Sequence, residues 1–230
     1  MKRRSVRQSH IHAIVPVNLV KKSKTRLSPM LSPAEREQLT VAMLTDVLHA
    51  LGESAGISDI TVVSADKKIP AIARRYGAQF LWEGNRRGLN RALRLAIRTV
   101  EQSGDGTVMI VHADLPLLTT HDIDTFIARS QGYELAIAPC KEDLGTNALL
   151  LRRPNIIPLS FGNGSFKKHL SHAKKGKLRY KVVRLPGLRF DIDAPSDLRQ
   201  LVHRRVPNET QHFLSTLRTR NVIWSTKKGP

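Results

Sequence analysis

The chain has 230 residues, 40% of them hydrophobic, which allows one well-cored α/β domain and is too short for two large ones. A formal net charge of +19 is accompanied by only 5% aromatic residues, one cysteine (Cys140) and no zinc-finger or RNA-recognition spacing. That combination argues against nucleic acid as the primary partner and excludes an internal disulfide or a cysteine-based zinc site. No stretch approaches the roughly 20 apolar residues of a membrane span, and "MKRRSVRQSH" leads into too short an apolar run for a signal peptide. A cytoplasmic protein is expected.

In chain order, "HAIVPV" reads as a first strand, followed by the loop "NLVKKSKTRLSPML". "SPAEREQLTVAMLTDVLHAL" is a helix with Ser32 as N-cap, Pro33 in its first turn and Glu35 near the positive end of its dipole. "DITVVSAD" is a strand, "KIPAIARRYG" a short helix and "AQFLWE" a third strand. Leu89, Ala92, Leu93, Ala96, Ile97 and Val100 give "GLNRALRLAIRTVEQSG" a helical apolar face. "TVMIVHAD" is the fourth strand, and "TTHDIDTFIARS" a helix capped by Thr119 or Thr120. "YELAIAPC", "TNALLLRR" and "RYKVVRLP" supply further strands, with helices "SFKKHLSHAKK" and "APSDLRQLVHRR". This alternation predicts a single three-layer αβα domain whose mostly parallel mixed sheet is covered on both faces. Residues 1–10 are expected to be a basic extension, 11–206 the domain, and 207–230 a basic, loosely ordered tail, because periodicity fades from "PNETQHFL" onward.

Open α/β sheets bind ligands beyond the carboxyl ends of their strands. After the first strand come Lys21, Lys22, Lys24 and Arg26, which read either as a solvated basic loop or as a phosphate grip. Neither a Walker A motif nor a GxGxxG fingerprint is present. "FGNGSFKKH" reads as a glycine turn with a serine cap, or as an anion site built on Gly162, Gly164 and Ser165. Thr146 and Asn147 in "GTNAL" add short hydrogen-bonding side chains. Asp191 and Asp193 in "RFDIDAPSDL" would project to one side of an extended backbone, a costly pairing unless a cation neutralises it. Asp193 alone is also explained as a helix N-cap, and Asp114 in "VMIVHADLPLL" as a turn residue or cap. Together the three carboxylates form a hard oxygen set suited to Mg²⁺, and with the cationic loops they point to phosphoryl or nucleotidyl transfer. His112 is expected to be a packing residue.

The ordered motifs "PVNxxxxxKTRL", "GLNxAL", "HADLPLL", "GTNALLL", "FGxGSFxxH" and "FDIDxPxDL" resemble the CofC/FbiD family, guanylyltransferases of coenzyme F420 biosynthesis. The resemblance spans about residues 11–202 and implies a MobA-like, nucleotide-diphospho-sugar transferase (GT-A) fold. It implies that GTP and a three-carbon phospho-acid (2-phospho-L-lactate, phosphoenolpyruvate or 3-phospho-D-glycerate) react with release of pyrophosphate. Carried onto this chain, it assigns Mg²⁺ to Asp114, Asp191 and Asp193, and the acid's phosphate to Thr146, Gly162 and Ser165. Lys24 and Arg26 would grip the triphosphate, with Gly88 and Asn90 near the nucleoside. Two alternatives stay open: a MobA-like enzyme with a molybdopterin or sugar-phosphate acceptor, and a non-catalytic basic binding protein. Oligomeric state, a homodimer included, is also open.

Overall fold

The computed structural model describes residues 10–20, 23–84, 88–103, 106–204 and 206–219. Among them one seven-stranded sheet comprises β1 (Ile11–Val17), β2 (Asp59–Ser64), β3 (Gln79–Trp82), β4 (Thr107–Val111), β5 (Leu135–Pro139), β6 (Thr146–Leu151) and β7 (Tyr180–Val182). Its spatial order is β3-β2-β1-β4-β6-β5-β7. Central strands are mainly apolar because both of their faces are covered. Ala13, Val15, Met109 and Val111 pack on one face, and Ile14, Val108 and Ile110 on the other. Helices α1 (Pro33–Gly52), α2 (Ile69–Arg75) and α4 (Thr120–Arg129) cover the first face. The second is covered by α3 (Leu89–Gln102) and α5 (Ser165–Lys175). This is the three-layer arrangement that the alternating pattern predicts.

The caps of α1 and α4 also match. Ser32 and Glu35 exchange side-chain and backbone bonds at the start of α1, with Pro33 in the first helical position. Thr119, rather than Thr120, caps α4 with Asp122 as its reciprocal partner. No helix of the described residues is long and apolar enough to cross a membrane.

Strand β6 runs antiparallel to both β4 and β5, whereas the remaining pairings are parallel. Direction has a consequence here. The amino end of β6 lies beside the carboxyl ends of β4 and β5, so His112 N–H bonds the Asn147 carbonyl and Thr146 faces Pro139. The chain leaving β6 therefore starts from the far edge and must return before α5 begins. Asn90 anchors that return by pairing with both backbone groups of Phe161, and Phe166 N–H bonds Leu144 O beyond it. "FGNGS" thus reaches the crevice edge by a long return rather than as the immediate strand-end loop that the linear pattern suggests.

After β7 come α6 (Pro186–Arg189), α7 (Pro195–Val202) and α8 (Glu209–Thr219). The stretch expected to be loosely ordered is therefore helical through residue 219. Leu214 and Leu217 of α8 close a third apolar cluster with Leu39, Met43, Leu198 and Leu201. Asp46, buried in α1, caps α8 by accepting from Glu209 N (2.9 Å), Thr210 N (3.0 Å) and the Thr210 hydroxyl. Residues 1–9 and 220–230 of the expected extension and tail, and Lys21 and Lys22, lie outside the described residues.

Candidate active site

Three loops converge at the carboxyl ends of β1 and β4. After β1 the chain forms a short 3₁₀ turn, Thr25–Leu27, whose Leu27 is buried beneath it. Lys24 precedes that turn in the left-handed region (φ 53°), a conformation that costs a non-glycine residue about 1 kcal/mol or more. Its ammonium is gripped from two sides, by Asp114 Oδ2 at 2.6 Å and Asp193 Oδ1 at 2.9 Å. Asp114 stands beyond β4, and the segment before α7 is tied to it by a bond from Ile192 N to Asp114 O (3.3 Å). That backbone bond brings two carboxylates, 79 residues apart in sequence, to one place.

The cap explanation of Asp193 does not hold. Asp197 accepts the N–H groups of both Asp193 and Ala194 at the head of α7, at 3.0 and 2.8 Å, leaving the Asp193 carboxylate for Lys24. Asp191 Oδ1 accepts from Asn147 Nδ2 at 3.3 Å. The same amide donates to Leu188 O at 3.1 Å, so Asn147 braces the 188–191 segment, a role invisible from its place in "GTNAL". The two aspartates of "FDID" therefore bond different partners, Asp191 the Asn147 amide and Asp193 the Lys24 ammonium.

A cavity of about 490 Å³ opens over this cluster, walled by the end of β1, Lys24, Arg26, Leu89, His112, Asp114 and Asp193. Burial works against charge on Lys24, yet Asp114 and Asp193 outweigh it and hold the ammonium well above the ordinary lysine range. Burial likewise opposes ionisation of Asp114, and Lys24 overcomes it, so that carboxyl titrates below its usual range. Burial and the nearby Asp114 charge raise Asp191 to about 6, against the bond from Asn147. Burial keeps the His112 imidazole neutral by lowering its pKa.

Thr146, Gly162 and Ser165 lie outside the lining of that cavity but are linked to it through packed rings. His112 lies against Phe161 (centroids 5.3 Å), and Phe161 meets His169 edge-on at 4.8 Å. His169 in turn bonds the Thr146 hydroxyl at 3.0 Å. Gly162 (φ 112°) and Gly164 (φ 69°) make the turn into α5, and Ser165 follows as its first residue, buried. Gly88 (φ 142°) precedes α3. Both ends of the Asn90 amide are engaged with Phe161, at 3.0 and 2.8 Å.

Among the described residues no three His, Cys, Asp or Glu side chains are arranged as a ready ligand set. The chemistry of the cluster nonetheless fits a hard divalent cation. Asp114 Oδ1 is buried and has no hydrogen-bond partner, and the Asp114 charge raises the neighbouring Asp191. A divalent ion between them would satisfy the first and relieve the second. Lys24 takes the position between Asp114 and Asp193.

A family model described as "Guanylyl transferase CofC like" matches residues 11–228. The chain belongs to that family. It is 39% identical over 189 residues to a phosphoenolpyruvate guanylyltransferase of Sphaerobacter thermophilus, covering 82% of this chain and 91% of the relative. A 2-phospho-L-lactate guanylyltransferase of Methanocaldococcus jannaschii is 35% identical over 204 residues, with 89% and 88% covered. Among solved structures, a Desulfovibrio desulfuricans G20 protein assigned to the nucleotide-diphospho-sugar transferases superposes with a TM-score of 0.75 at 17% identity, over 92% of this chain and 96% of its own. A nucleotidyl transferase from Methanothermobacter thermautotrophicus gives 0.61 at 16%, over 90% and 99%. The fold is thus that of the nucleotide-diphospho-sugar transferases, and this CofC-family chain is a nucleotidyltransferase. The family match runs through α8.

Proposed function

We propose that this guanylyltransferase joins GMP from GTP to a three-carbon phospho-acid and releases pyrophosphate, on the route to coenzyme F420. Phosphoenolpyruvate and 2-phospho-L-lactate are the leading acceptors, because the relatives at 39% and 35% identity carry those names. 3-Phospho-D-glycerate is the third to assay. The observation that carries the reading is the meeting of Asp114 and Asp193, from separate loops, on Lys24 at the wall of one cavity.

In the reaction a phosphate oxygen of the acid attacks the α-phosphorus of GTP, and the bond from that phosphorus to the β-phosphate bridge breaks. A phosphate monoester is already ionised at neutral pH, so no side chain has to remove a proton. The obstacle is the approach of two polyanions, which Lys24 and Arg26 on the same cavity offset. Mg²⁺, held by Asp114, Asp191 and Asp193, would neutralise charge on the reacting phosphates. Thr146, Gly162 and Ser165 would hold the phosphate of the acid, and Gly88 with Asn90 would border the nucleoside.

The test is pyrophosphate release from purified protein with Mg²⁺, each of the four nucleoside triphosphates and each of the three acids, with products identified by mass. GTP with at least one acid is expected to react. Silence with all three acids would sink the reading.

A further inference from the structure

The hydrogen-bond accounting around His169 has one solution. Ser160 donates its backbone N–H to His169 Nε2 at 3.0 Å, and a backbone amide can only donate. Nε2 must therefore be the unprotonated nitrogen, and the neutral ring carries its proton on Nδ1. Nδ1 lies 3.0 Å from Thr146 Oγ1, so the imidazole donates to that oxygen. A hydroxyl accepting from the ring cannot turn its own hydrogen back toward it. The Thr146 O–H is thereby left to donate to a different acceptor. Burial and the nearby His172 charge lower the His169 pKa to about 4, so the ring stays singly protonated across the neutral range. Phe161 packed edge-on at 4.8 Å limits its rotation.

We propose that His169 is a positioning residue that fixes the Thr146 hydroxyl as an obligate hydrogen-bond donor to an oxygen of the acid substrate's phosphate. The proposal rests on Thr146 being a phosphate ligand. A donor held this way suits a fully ionised phosphate, which offers only acceptors, and costs no reorientation when the substrate arrives. The ring touches no substrate in this scheme; it acts only through Thr146. "FGxGSFxxH" thereby gains a reason for its histidine four residues after the serine, since that spacing puts both on one face of α5.

The test is a double-mutant cycle of Thr146→Val and His169→Asn, with Thr146→Ser as the conservative control, reading separate KM values for phospho-acid and GTP. Each single variant is expected to raise KM for the acid about tenfold or more, as for a lost hydrogen bond to a charged group, with KM for GTP unchanged. Thr146→Ser should retain most of the wild-type value. His169→Asn added to Thr146→Val should cost nothing further for the acid. Multiplicative effects, or parallel rises in both KM values, would overturn the assignment. Nitrogen-15 NMR of the His169 ring in the full-length protein reads the tautomer without any substrate: an Nδ1–H ring is expected, and an Nε2–H ring refutes the proposal even if the activity assay fails for another reason.

Discussion

Replacing His169 by Gln should remove a specific acid sensitivity. The His169 pKa drops from 6.5 to about 4 because burial, with His172 nearby, disfavours the charged ring. The direction of linkage follows. Above about pH 6.5 the ring is neutral in both folded and unfolded chains and contributes no pH dependence. Below it the unfolded chain takes up a proton that the folded chain refuses, so stability falls as pH falls, by about 1.4 kcal/mol per pH unit. The loss reaches about 2–3 kcal/mol at pH 4.5 and levels off at about 3–4 kcal/mol well below pH 4. His169→Gln also loses bonds to Ser160 N and Thr146, so it should be less stable than wild type at pH 7.5 by about 1–3 kcal/mol. The gap should then close as the buffer is acidified. Other groups titrate in the same range, Asp191 among them, and only the difference between the two proteins isolates the ring. Urea midpoints from pH 7.5 to 4.5, at constant m, measure it. Stability curves that stay parallel down to pH 4.5 would refute the reasoning.

Lys24→Met leaves Asp114 and Asp193 without their ammonium and removes a cation from the cavity. Turnover should fall about 10²–10³-fold, and a pyrophosphate assay at saturating GTP reads the loss. Asp114→Asn should abolish turnover while circular dichroism stays unchanged; full activity would remove Asp114 from the site. Asn90→Ala should raise KM for both GTP and the acid, because Asn90 is proposed to lie beside the nucleoside and both ends of its amide hold the Phe161 backbone beside His169. Two unchanged KM values would remove Asn90 from the site. Leu214→Ala should destabilise by about 2–4 kcal/mol, seen as a lower Tm, because the side chain is buried against α1 and α7. A shift near zero would restore the picture of a loose tail.

What the linear pattern revealed and what it concealed differ in the range of the interactions involved. The strands, helices α1–α5 and α7, and the caps at Ser32 and Thr119 rest on signals within a few residues and lie close to where the pattern puts them, whereas α6 begins within the stretch expected to finish the last strand. Asp114 stood out as a carboxylate just beyond the buried strand β4 and Asp193 by its spacing from Asp191, and the local cap use of Asp193 is taken by Asp197. Helix α8 was hidden because the carboxylate that caps it, Asp46, lies 163 residues earlier in α1. The direction of β6 was hidden for a different reason. A strand buried on both faces, as "TNALLL" is, reads the same whichever way it runs.

That reversal shapes the acceptor side of the site. It sets Thr146 and Asn147 at the edge where the neighbouring strands end, so that the start of β6 braces Asp191 through Asn147 and places the Thr146 hydroxyl against His169. A parallel β6 would have put "GTNAL" at the opposite edge, leaving Asp191 without its amide partner. The long return through Phe161 then follows from the same reversal, since α5 must bring Ser165 and His169 back to Thr146. The proposed metal and acceptor sides are therefore coupled through adjacent residues of one strand. A substitution that shifted the β4–β6 register by one residue should damage both together, because Asn147 and Thr146 would exchange faces.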